Sequence, residues 1–264
     1  NCTDVTLNGG NLSFNVDQFT TYRGIEGIGC GTITTDTTLE NDILSDGTCF
    51  IITADDVTLD CQGFEIGFNS VGVIGAVGVQ VIAADDVVIE NCIIQDYNDT
   101  RDNSSGVRLD DNSDRLLLRN STLYVNSTGG TPYGVNIHSG DNTTIENVTM
   151  RVVGQVDGHG IMINQSSTGT LINNSDIMMS AGNARNKAIR VEGANTTIQH
   201  SKVVVNSTGG PAAQFNAAVF INGTFANEII IHNNTLIAKG GTVTFGIQTA
   251  GVNRDVIITE NRIT

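Results

Sequence analysis

The residues able to do chemistry are few and scattered along the chain. His159 stands between Gly158 and Gly160, Asp110 and Asp111 are adjacent, and Arg190 lies in the run Ile189-Arg190-Val191. Two carboxylates, an imidazole and a guanidinium are the types that acid–base cleavage of a polymer requires. A second acidic set, Asp55, Asp85, Asp114 and Asp141, recurs at similar spacing, with Asp56 and Asp86 beside its first two members. Carboxylates stacked about 5 Å apart repel unless screened. The set therefore reads either as a weak calcium site made of oxygen ligands or as turn caps bonded to their own backbone. No other cofactor is implied. Ser residues do not sit in a strand-turn-helix elbow, and the glycines do not form a phosphate-binding run.

Five cysteines fall at positions 2, 30, 49, 61 and 92. They are too few to build a disulfide miniature and lack the close pairs of a zinc site. One or two local clips in an oxidising compartment fit, Cys30 with Cys49 among them, and the pairing of Cys2, Cys61 and Cys92 stays open. Asn-x-Ser/Thr sequons begin at Asn1, Asn11, Asn98, Asn103, Asn120, Asn126, Asn142, Asn147, Asn164, Asn173, Asn195, Asn206, Asn222 and Asn233. Chance placement of this composition would give about five, so N-linked glycans on a secreted or cell-surface protein are expected. A repeat that favours Asn-x-Thr at its turns would give the same excess without sugar.

Thirteen Lys and Arg against 28 Asp and Glu leave a formal charge of −15, which repels nucleic acid. The longest apolar stretch, 71–84, is interrupted by Gln80 and is too short to span a bilayer. The chain opens on Asn1-Cys2-Thr3 with neither an initiator Met nor an apolar leader, and reads as a processed chain or a cut segment.

What would position these residues is an internal repeat. Short runs begin at Gly78, Gly106, Gly134, Gly160, Ala188, Ala218 and Gly246, a period near 28 residues. Within them Val79, Val107, Val135, Ile161, Ile189, Val219 and Ile247 alternate with Gln80, Arg108, Asn136, Met162, Arg190, Phe220 and Gln248, so the first set faces inward and the second outward. A second register runs Leu59, Ile89, Leu118, Ile145, Ile172, Ile198, Ile231 and Ile258, each followed five places on by another apolar residue, beginning with Phe64. No helix fits between such closely spaced strands. Several short strands per repeat, each stacked on its counterpart one coil away, satisfy both burial and backbone hydrogen bonding. The Asn column at 91, 120, 147, 174 and 233 falls between the second and third strands, at a corner that needs the left-handed conformation.

The segments Cys30-Gly-Thr-Ile-Thr-Thr-Asp-Thr-Thr-Leu39, Ala54-Asp-Asp-Val-Thr-Leu-Asp-Cys-Gln-Gly63 and Ile89-Glu-Asn-Cys92 resemble the opening of right-handed parallel β-helix repeat proteins, the pectate-lyase-like and NosD-like group. The likeness covers residues 30–264. It implies an all-β fold, a single-stranded right-handed parallel β-helix of about eight coils, with an asparagine ladder at one corner. Gly158-His159-Gly160 is similar to a polygalacturonase motif, which would make Asp110, Asp111, His159 and Arg190 the catalytic candidates. That family's Asn-Thr-Asp motif has no match. The group's depolymerases, the resemblance implies, carry their acids and bases on the outward face of the first sheet, where this column holds no carboxylate and no His.

Taken together, residues 1–29 form an N-terminal cap or inter-subunit arm and residues 30–264 the solenoid. The expected function is a glycosylated structural β-solenoid, secreted or on the cell surface, that packs head-to-tail with copies of itself. The alternatives are a carbohydrate-active hydrolase or lyase, or a carbohydrate-binding adhesin. The ladder sequons Asn120, Asn147 and Asn233 are expected to turn their amides into the stack, and Asn126 and Asn206 to stand in exposed loops.

Overall fold

The computed structural model describes residues 2–8, 11–16, 29–98, 103–154, 157–181, 185–207, 215–224, 226–240, 244–251 and 254–264. Every regular element among them is a strand. The strands form three parallel sheets of nine strands each, and an antiparallel pair, Cys2–Asn8 with Asn11–Val16, forms a separate two-stranded sheet. Successive strands of the chain go to the first, second and third sheets in turn, so each pass through all three is one coil. Eight coils carry the repeat, and a shorter one made of Gly31–Ile33, Thr37–Thr38 and Ile43–Leu44 precedes them. The chain is thus a parallel β-helix.

The inward columns stack as their spacing requires. Val79 pairs with Val107, Val107 with Val135 and Val135 with Ile161 along the first sheet, and all four are fully buried. In the second sheet Leu59, Ile89, Leu118, Ile145, Ile172, Ile198, Ile231 and Ile258 pair in the same order. The third-sheet column follows too, with one correction at its start. Ile66, not Phe64, pairs with Ile94, because the turn at Gln62 and Gly63 delays the strand Glu65–Phe68 by two residues. At roughly 1.5–3 kcal/mol per buried aliphatic, stability comes from neighbouring coils. Leu118 is sealed between Ile89 and Ile145, so Leu118→Ala should cost about 2–5 kcal/mol in a denaturant titration. A loss well under 1 kcal/mol would mean that the interior is not packed.

The corners explain the polar columns. Gln62, Asn91, Asn120, Asn147, Asn174, His200, Asn233 and Glu260 all have φ between 47° and 55°, the left-handed region that favours Asn. Their side chains lie at the surface, and Asn120, Asn147 and Asn174 are exposed, while between these three the amides bond from coil to coil as an asparagine ladder does. Asn147 Nδ2 donates to Asn120 Oδ1, and Asn174 Nδ2 to Asn147 Oδ1. The inward position is the next residue: Cys92, Ser121, Val148, Ser175, Ser201 and Asn234, all buried. There Ser121 Oγ accepts from the Cys92 amide and donates to the Arg119 carbonyl. Ser175 and Ser201 repeat the arrangement.

Glycine at the start of the first four runs, Gly78, Gly106, Gly134 and Gly160, has a steric cause. A Cβ on Gly134 would stand 2.6 Å from the Gly160 carbonyl oxygen in the next coil. Two disulfides clamp the first coils, Cys30–Cys49 as expected and Cys61–Cys92 in addition. No helix among the described residues is long and apolar enough to cross a membrane.

Candidate functional site

The acidic column caps from coil to coil, which corrects the expectation that each Asp caps its own turn. Asp55 Oδ1 accepts the amide of Asp85, Asp85 that of Asp114, Asp114 that of Asp141, and Asp141 that of Thr168, each at 2.8–2.9 Å. Each carboxylate caps the coil stacked on it instead of its own turn. Asp56, Asp86 and Arg115 occupy the adjoining left-handed corner. Arg115 bridges Asp85 at 3.2 Å and Asp86 at 2.7 Å, and this guanidinium holds the Asp86 carboxyl below the usual carboxylate range. One lone pair per carboxylate is already committed, and no group of three His, Cys, Asp or Glu among the described residues gathers as metal ligands. Adding a chelator should therefore leave the melting temperature unchanged, while Asp114→Ala should lower stability by roughly 1 kcal/mol for the lost cap. A chelator-induced drop in melting temperature would restore calcium to the column.

The four catalytic candidates separate into two groups. Asp110 ends the strand Ser105–Asp110 and is nearly buried. Gln80 Nε2 donates to its Oδ2 and Arg108 Nε to its Oδ1, with His138 Nδ1 3.5 Å away. Asp111 is an exposed turn residue at φ 54°. Neither approaches His159, which opens the strand His159–Ile163 two coils further on and five register positions away.

The glycines on either side of His159 suggest a turn, but it is a buried strand residue, 3% exposed. It lies between Tyr133 and Lys187, its ladder partners in the coils on either side, with the Tyr133 ring 5.6 Å away centroid to centroid. Burial first, then the Arg190 and Lys187 charges, push its pKa down to about 3, so the ring is neutral at physiological pH. Its Nδ1 has no hydrogen-bond partner. Burial likewise raises the Tyr133 phenol and lowers the Lys187 ammonium, the latter to about 8.

Arg190 does share this neighbourhood. Above His159, on the outward face of the first sheet, lies a cleft of about 330 Å³ lined by Asp157, Arg185, Lys187, Arg190, Phe215, Phe220 and Gln248. Lys187 Nζ donates to the Phe215 carbonyl and lies 5.4 Å from the Phe220 ring centroid. The Arg190 guanidinium is 5.7 Å from the same centroid and pairs with Glu192. Asp157 Oδ1 and Gln248 Oε1 are buried acceptors without a donor. Three cations and two phenylalanines thus converge on a chain of net charge −15. Sequence reasoning reached only Arg190, Phe220 and Gln248 here, as members of the outward column, with Arg190 also a catalytic candidate. The signal that would have found Lys187 is the position just before each run's first residue, which reads Val77, Ser105, Tyr133, His159, Lys187, Ala217 and Phe245.

The sequons can also be placed. Asn126 and Asn206 are the penultimate residues of the strands Thr122–Ser127 and Lys202–Ser207, not loop residues. Both alternate outward, Asn126 partly covered and Asn206 exposed. The amides of Asn173, Asn195 and Asn222 donate to Glu146, Thr168 and Glu192. Asn98 and Asn164 are partly covered, whereas Asn103, Asn142 and Asn233 are exposed. Asn1 and the side chain of Asn11 lie outside the described residues, as does the side chain of Cys2.

Fold and site together define a parallel β-helix with an outward-facing cationic cleft on its first sheet. The chain is similar in structure to the A-module of the mannuronan C-5 epimerase AlgE6 of Azotobacter vinelandii, at 12% identity and TM-score 0.33 over 89% of each chain. It is also similar to the surface protein and adhesin PfbA of Streptococcus pneumoniae, at 11% identity and TM-score 0.29 over 88% of this chain and 89% of that one. No protein-family model and no curated protein sequence matches it.

Proposed function

We propose that this chain is an extracellular structural solenoid that works by recognition at its surface and does not turn over a substrate. The observation that carries the reading is the commitment of its acids and bases to structure. Asp110 is held by Gln80 and Arg108, the Asp55–Asp141 column caps successive coils, and His159 is shut under Lys187. What remains accessible is a cleft with three cations, two aromatic rings and one carboxylate. Hydrolysis of a glycosidic bond needs two carboxyl groups about 5–10 Å apart around the scissile bond, and the cleft lining supplies one. Two disulfides favour an oxidising compartment, hence secretion or surface display.

A panel of neutral and acidic polysaccharides should yield neither reducing ends nor unsaturated products. Product formation lost on Lys187→Met would replace this reading with the enzymatic one. N-glycans belong to the same proposal, and peptide mass spectrometry should find them on Asn103, Asn142 and Asn206 ahead of Asn173 and Asn222, whose amides are already bonded. Self-association into a filament or layer is tested by light scattering of the purified chain, where growth in size with concentration is the expected result.

A further inference from the structure

The ligand of the cleft can be narrowed from its dimensions and its unsatisfied groups, on the footing that the cleft binds. A volume of about 330 Å³ lies at the lower end of small-molecule sites, the size of one ring and its substituents and too small for several units of a polymer. Arg185, Lys187 and Arg190 call for an oxyanion. Arg185 is exposed and forms no ion pair among the described residues, so its charge is available. Phe220, flanked by two of these cations, and the exposed Phe215 present apolar surface. The remaining polar groups have the opposite demand: Asp157 Oδ1 and Gln248 Oε1 are acceptors lacking donors. Asp157 is the one carboxylate of the lining, and a ligand bearing a donor would pair with it through a charge-assisted hydrogen bond.

We infer that the cleft binds a small ring-bearing carboxylic acid with a hydrogen-bond donor on the carbon beside the carboxylate, an aromatic α-amino or α-hydroxy acid. The carboxylate sits among Lys187, Arg185 and Arg190. The ring lies toward Phe220 and Phe215, and the donor turns back toward Asp157, one coil below Lys187. An amino acid offers an ammonium to Asp157, and a hydroxy acid offers a hydroxyl. Both meet the same requirement.

The test is calorimetry on the whole chain with four probes: L-phenylalanine, 3-phenyllactate, 3-phenylpropionate and inorganic phosphate. One or both donor-bearing acids should bind about tenfold or more tightly than 3-phenylpropionate, the equivalent of one charge-assisted hydrogen bond. Lys187→Met should weaken them by at least about tenfold, and Asp157→Ala should remove the preference over 3-phenylpropionate. Because Lys187 is buried, Arg185→Gln at an exposed position serves as the variant that keeps the fold, with its melting curve as control, and it should weaken binding as well. Equal affinity for 3-phenylpropionate, phosphate binding as tightly as the ring acids, or no binding of any acid would overturn the inference. If the acids fail while an oligosaccharide binds and is not cleaved, this inference falls and the recognition reading stands.

Discussion

Acidification from pH 7 to pH 4 will destabilise this protein by more than its carboxylates account for, and the excess will disappear in His159→Leu. In the unfolded chain the imidazole titrates near 6.5, whereas in the folded chain it is held at about 3. Between those values the unfolded state binds a proton that the folded state does not, so stability falls as pH drops through this window. Above pH 6.5 the ring is neutral in both states and contributes no slope; below 3 it is charged in both and the loss is complete. At about 1.4 kcal/mol per pH unit between the two values, the whole effect is on the order of 5 kcal/mol. The cause is the site itself. Tyr133 covers one side of the ring, Lys187 and Arg190 stand as cations above it, and Asp157 is the nearby carboxylate. A proton on His159 would be a third positive charge without solvent. Chemical denaturation at pH 7, 5.5 and 4.5 should show the wild type losing roughly 3 kcal/mol more than His159→Leu. Parallel pH curves for the two would show that the ring is hydrated or paired.

The core was legible because two independent constraints fell on the same positions. Period-two alternation at Val79 and Val81, repeated 28 residues on at Val107 and Leu109, admits only stacked short strands, and these residues are buried in register. The Asn91–Asn233 corner was legible because Asn is the commonest non-glycine residue there. The opposite corner uses Asp56, Asp86, Arg115, Asn142, Gly169 and Asn195, a mixture with no shared chemistry to detect. Side-chain bonds that climb from coil to coil were not legible either. Self-capping by Asp85 and capping of Asp114 by Asp85 look alike in one dimension, because both need a short acceptor at a turn. Ser121, Ser175 and Ser201 share a column only once the corner geometry is known. The cleft was hidden for another reason. Asp157, Arg185 and Phe215 lie outside the strand runs, in the connections where coil length varies, so no repeat register predicts that they meet Lys187. His159 misled in a related way. Its glycine neighbours suggest a turn, but Gly160 is small because the next coil's backbone passes close to it, and the flanking residue is free to be a buried strand member.

Reducing the two disulfides should unfold the solenoid from the Cys30 end while the later coils persist. The coil closed by Cys30–Cys49 is the thinnest in the molecule. Its second and third strands, Thr37–Thr38 and Ile43–Leu44, are two residues each, Leu44 is 59% exposed, and only Ile33, Leu39 and Cys49 add buried apolar side chains. Burial on that scale offsets little of the roughly 1–2 kcal/mol per residue lost in ordering the backbone. The covalent link supplies the difference. Closing loops of 19 and 31 residues removes denatured-state entropy equivalent to about 3–4 kcal/mol each. Cys61–Cys92 also ties two consecutive coils together at the inner corner that serine fills in three of the coils that follow. Because a stack of repeats loses stability locally when one interface weakens, the damage should stay near residues 30–92. Hydrogen exchange after reduction should show protection collapsing around Ile52 and Leu59 while Ile145, Ile161 and Ile172 keep theirs. Uniform loss of protection along the chain would show instead that the nine coils unfold as one unit, and that the disulfides stabilise the stack as a whole.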